Sequence, residues 1–114
     1  MAKKIEIVKP MTLEIGDKKY TLEFNRNSVM SAERLGLNIA DFDKMPLNTT
    51  LLLFYCAFKM HHPEMTRQQT DDIYFDVLNG LTPEEIKRLG ELFNAPAQYL
   101  VNDGGERKNA KISL

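Results

Sequence analysis

The chain lacks tryptophan, carries one cysteine and two histidines, and has no apolar run longer than Leu51 to Phe58. Each scarcity removes a class of protein. A lone Cys56 closes no intramolecular disulfide, so nothing calls for an oxidising compartment. The opening Met1-Ala2-Lys3-Lys4-Ile5-Glu6 has no apolar stretch after its lysines and is not read as a signal peptide. The apolar run falls far short of the roughly 20 residues that cross a bilayer. A cytoplasmic protein is expected, and there Asn48-Thr49-Thr50 is no glycosylation acceptor despite its pattern.

A dominant charge is missing as well. Lys and Arg number 15 against 16 Asp and Glu, a net charge of -1, and neither sign gathers in one segment. Nucleic-acid binders draw much of their affinity from clustered Lys and Arg that release phosphate counterions, so no nucleic-acid partner is expected, and no membrane. No Gly-rich phosphate loop follows a strand, since Gly104-Gly105 stands near the end of the chain.

What is present is a regular alternation of pattern and punctuation. In 11-MTLEIGDKKYTLEF-24, Met11, Leu13 and Ile15 share one parity, and Tyr20, Leu22 and Phe24 share that of the facing strand. This is a β-hairpin with one apolar face. Gly16-Asp17 suits the tight turn, although Asp17-Lys18 keeps the same faces, so the register stays open by two residues. Ile5 and Ile7 alternate likewise and suggest a third strand before Pro10. Two or three strands do not stand alone, so helices must cover the apolar face.

Helical punctuation runs from Asn25 to about Asn102. Asn25 or Asn27 can cap a helix with Val29, Met30 and Glu33 that Gly36 closes. Asn38 can cap one turn through Phe42, and Asn48 can cap a helix running to His61. Thr66 and Gln69 have capping-box spacing, and the helix they open places Ile73, Tyr74, Val77 and Leu78 in one stripe before Asn79-Gly80. Thr82-Pro83-Glu84-Glu85 forms a second capping box with Pro at the first helical position. Ile86, Leu89, Phe93, Ala97 and Leu100 continue a stripe that Pro96 should break near Asn94. The expectation is an α+β protein: an N-terminal antiparallel β-hairpin, or three strands, packed on a bundle of four to five short α-helices. Residues 1–102 make the single domain. Residues 103–114 are a polar C-terminal tail, mobile or forming a short added strand through Ala110, Ile112 and Leu114.

The residues best suited to chemistry are 61-HHPEMT-66 and Cys56. Zinc needs about four ligands in a tetrahedron, yet neighbouring histidines point about 100° apart on a helix and cannot both face one ion. Cys56 lies in an apolar run that favours burial over the accessible, electropositive setting a nucleophile requires. The histidines read as a helix terminus, imidazoles near the last carbonyls and Pro63 forbidding another turn. Asp71, Asp72, Glu84 and Glu85 stand where first helical turns favour acid. No catalytic residue, metal site or cofactor is therefore expected. Surface apolarity remains: Phe75 lies opposite the Ile73 and Val77 stripe, and Leu92 and Tyr99 flank the last one. These three are the candidate partner-binding residues.

The order of the pieces carries a resemblance. The hairpin 13-LEIGDKKYTLEFN-25, a short helix ending Leu35-Gly36-Leu37, the apolar helix into His62-Pro63-Glu64, 81-LTPEEI-86 and a short polar end together resemble the small tail assembly chaperones of long-tailed phages and prophages. The resemblance implies a non-enzymatic protein of the host bacterial cytoplasm that binds the tape measure protein and keeps this long helical chain soluble. It also implies assistance to tail tube polymerisation, with the tail tube protein as a second partner, self-association into oligomers, and absence from the mature virion. The alternative is a small self-associating phage structural or regulatory protein that binds another virion component.

Overall fold

The computed structural model describes residues 7–100 and 107–114, and for Tyr99 the backbone alone. Two antiparallel strands, β1 (Met11–Ile15) and β2 (Lys18–Leu22), pair Met11 with Leu22, Leu13 with Tyr20 and Ile15 with Lys18. The loop is thus Gly16-Asp17, which fixes the register. Gly16 sits at φ 62° while Asp17 does not take a positive φ, the arrangement whose twist matches that of the flanking strands. Residues 7–10 form no strand and Ile7 is 91% exposed. Ile5 lies outside the described residues.

Asn25 opens helix α1 (Arg26–Arg34). Its Oδ1 accepts the Ser28 N–H at 2.8 Å while the Ser28 hydroxyl accepts the Asn25 N–H at 2.8 Å, so two donors without helical partners satisfy each other's residue. Gly36 at φ 97° turns the chain out, and the Leu37 N–H returns to the Ala32 carbonyl at 3.0 Å. One 3-10 turn (Ile39–Asp41) follows, capped by Asn38.

Helix α2 (Pro46–Phe58) begins earlier than the expected Asn48 cap, with Pro46 as its first residue and no side chain capping it. Proline suits that position because its fixed φ is helical and its missing N–H would have no partner there. Asn48 is consequently inside the first turn. The helix is apolar on every side and is buried accordingly: Leu51, Leu53, Phe54, Cys56, Ala57 and Phe58 are all 7% exposed or less. It touches α1, β2 and both later helices. Phe54 meets Phe58 edge-on at 5.0 Å and Tyr74 at 5.7 Å, and Tyr20 of the hairpin meets Phe58 at 5.6 Å. Burial of each such side chain contributes about 1.5–3 kcal/mol, so this helix holds the layers together.

Helix α3 (Arg67–Asp72) starts at the Thr66–Gln69 capping box and passes into a π-turn (Ile73–Val77), where the Leu78 N–H reaches the Ile73 carbonyl at 2.9 Å. The wider turn breaks the expected single stripe. Ile73 and Tyr74 are buried and Leu78 half-buried, but Val77 is 53% exposed, because a residue inserted per turn shifts later side chains off the 3.6-residue face. Helix α4 (Pro83–Asn94) opens at the Thr82–Glu85 capping box and gives way at Pro96 to a 3-10 turn (Ala95–Tyr99). Its buried residues are Leu89 and Leu92, with Phe93 half-buried against Phe24 at 5.3 Å. Leu100, expected to extend the stripe, is 83% exposed. Residues 107–114 form no strand, and 103–106 lie outside the described residues. Among the described residues no helix is long and apolar enough to cross a membrane.

Candidate functional site

The two histidines are placed by the end of α2, but not as helical residues. The helix stops at Phe58, and the His62 N–H caps it by donating to the Phe58 carbonyl at 2.7 Å. Both rings then turn toward the hairpin. The Thr21 N–H donates to His62 Nε2 at 2.9 Å, which leaves the ring proton on Nδ1, 3.9 Å from Glu64 Oε1. The His62 ring lies edge-on to Tyr20 at 5.1 Å and to Phe58 at 6.3 Å. His61 Nε2 is 2.7 Å from Glu23 Oε1. A neighbouring bond, Glu23 N–H to the Ala57 carbonyl at 3.0 Å, completes the attachment of β2 to the end of α2. Imidazoles expected to face the last helical carbonyls thus clasp a strand instead.

Cys56, four residues from Met60 and one turn before this clasp, is 1% exposed. Burial pushes its thiol up to about 11, outweighing the opposing pull of Lys59 and Arg67. It stays protonated, a poor nucleophile and a small core side chain. Among the described residues no three His, Cys, Asp or Glu side chains converge as metal ligands.

The three partner-binding candidates separate. Phe75 is 49% exposed, its ring edge-on to buried Tyr74 at 5.2 Å. Leu92 is 2% exposed and belongs to the core, because α4 buries the i and i+3 pair Leu89 and Leu92 rather than only the stripe through Phe93. It cannot form an exposed contact with Phe75. Tyr99 ends the 3-10 turn, and its side chain lies outside the described atoms. The π-turn adds a residue that periodicity concealed: Val77 is exposed as well, two positions from Phe75 with exposed Asp76 between them in sequence, and it points to a different side of the turn. A second surface lies between α1 and the turn after α4, a groove whose apolar lining is Val29, Met30, Pro96, Ala97 and Leu100, with Asn25, Arg26, Asn27 and Glu33 as its polar lining. Met30 and Leu100 are its large exposed apolar side chains, 45% and 83% exposed.

One apolar helix enclosed by a clasped hairpin and shorter helices defines a small α+β domain. The chain belongs to the family of DUF5055, a domain of unknown function, whose model matches residues 1–114. No curated protein and no solved structure matches it.

Proposed function

We propose that the protein is a phage tail assembly chaperone that binds helical segments of the tape measure protein and keeps them soluble until the tail tube polymerises around them. The observation that carries this reading is the pair Phe75 and Val77, 49% and 53% exposed on a π-turn. Each exposed apolar side chain offers a shallow contact to the apolar face of a passing helix, the face by which amphipathic helices are recognised. The groove beside Met30 and Leu100 provides a second contact of the same kind. Many weak apolar contacts suit a holdase that must later release its client, and such work needs no nucleophile or cofactor. The order of sequence segments, which resembles that of the tail assembly chaperones, points the same way. In this reading the protein acts in the host bacterial cytoplasm and leaves before the virion matures.

Co-expression with the tape measure protein of the same phage tests the proposal. Soluble tape measure protein should rise in the presence of the chain and fall back with Phe75→Asp, a change on an exposed side chain that leaves the circular dichroism spectrum intact. Equal recovery with the wild-type and a folded Phe75→Asp chain would remove Phe75 from the binding surface.

A further inference from the structure

Among the described residues, one edge of the hairpin has hydrogen-bond partners and the other has none. The pair Ile15 and Lys18 closes the two-residue loop and exchanges both hydrogen bonds, and the antiparallel alternation then turns the N–H and C=O of Thr12 and Glu14 away from β2. On the β2 side the outward N–H groups of Thr21 and Glu23 are taken by His62 and by the Ala57 carbonyl. On the β1 side, among the described residues, no backbone group meets them. Residues Ile7 and Val8 lie beside Glu23 to Arg26, continuing the line of β1 rather than folding back along its edge. The apolar face beneath that edge, Met11, Leu13 and Ile15, is only half-buried. A two-stranded sheet with one open edge is a template for a further strand.

Residues 110-AKISL-114 have the complementary pattern and are unengaged: all are exposed, and Ile112 is 69% exposed. We propose that a second copy of this chain adds residues 110–114 to the outer edge of β1 as an antiparallel strand. With Ile112 opposite Leu13, Leu114 falls opposite Met11 and Ala110 opposite Ile15, which extends the apolar face. Ser113 falls opposite Thr12, and Lys111 opposite Glu14. Glu14 already pairs with Lys19 of β2 at 3.5 Å, so Lys111 places a second cation on its other side, a favourable cross-strand arrangement. A slip of one residue would put Ile112 on the solvent face, and a slip of two would take Lys111 away from Glu14. The occupant is a second copy because within one chain both the edge and the segment stand free of each other. Mutual exchange yields a two-fold dimer in which each subunit gives and receives one strand. This interface is separate from Phe75 and Val77 and does not depend on the chaperone reading.

Sedimentation equilibrium on the full chain and on Ile112→Asp, together with cysteine pairing, tests it. The wild type should have twice the mass of one chain, and Ile112→Asp should return to the mass of one chain with an unchanged circular dichroism spectrum. Mixing Glu14→Cys chains with Lys111→Cys chains under mild oxidation should give a disulfide-linked heterodimer, because residues opposite each other in a hydrogen-bonded pair are about 5.5 Å apart at Cα, within disulfide reach. Thr12→Cys mixed with Lys111→Cys, a diagonal pair, should give several-fold less. A monomeric wild type, a dimer that survives Ile112→Asp, or equal yields from the two mixtures would each overturn the proposal. So would a disulfide that closes within a single doubly substituted chain while the mixed chains remain apart, since the segment would then be pairing with its own hairpin.

Discussion

Replacing His62 by alanine probes the clasp between hairpin and helices. The ring accepts the Thr21 N–H at 2.9 Å, contacts Tyr20 edge-on at 5.1 Å, and is 21% exposed. Losing a partly buried hydrogen bond costs about 1 kcal/mol net, and losing an edge-on aromatic contact costs about 0.5–1.5 kcal/mol. Alanine restores neither, so the expected destabilisation is about 2 kcal/mol, or roughly 8 °C in Tm for a chain of this size. Urea denaturation followed by circular dichroism should show a lower midpoint with an unchanged slope, the mark of altered stability rather than an altered unfolded state. Glutamine, whose carbonyl can accept the same N–H, should recover part of the loss. The neighbouring His61–Glu23 pair, with side chains 38% and 28% exposed, should matter less, under about 1 kcal/mol for His61→Ala, because water screens it. A His62→Ala effect below about 0.5 kcal/mol, within the range of ordinary surface changes, would refute the view that this ring fastens β2 to the core.

Two further outcomes follow from local chemistry. Thr82→Ala removes the hydroxyl that accepts the Glu85 N–H at 3.2 Å and should destabilise the protein by about 1 kcal/mol in the same urea titration, with serine nearly neutral. The Cys56 thiol has its ordinary value of 9.0 raised to about 11 by burial. The unfolded chain therefore releases this proton first, and the associated stability is present below pH 9.0 and lost as pH climbs toward about 11. The stability advantage of wild type over Cys56→Ala should shrink across that range when both are titrated with urea, and a constant difference would contradict a buried thiol.

The parts of this fold legible in the sequence are those decided within a few residues. Thr66 with Gln69, Thr82 with Glu85 and Asn25 all cap helices where their side chains can reach the first free amides, and Gly16 and Gly36 turn the chain where a positive φ is needed. The Asn48 cap failed because Pro46, two residues earlier, is an equally local but better helix start. Val77 and Leu92 failed for a different reason. A fixed 3.6-residue period cannot foresee a π-turn, and it cannot say how wide a stripe the neighbours of α4 will bury. The clasp was least legible of all, since His62 and Thr21 are 41 residues apart and adjacent histidines before proline look like a simple helix end. For the candidate surface, Phe75 was identifiable as an aromatic off the apolar stripe, whereas Val77 became visible only with the π-turn.

The proposed binding of the tape measure protein is tested most directly by the mass of the complex. Purified chain mixed with soluble tape measure fragments, separated by size and followed by light scattering, should yield a species containing both proteins, diminished by Phe75→Asp. A mixture in which each protein elutes at the mass it has alone would contradict the account.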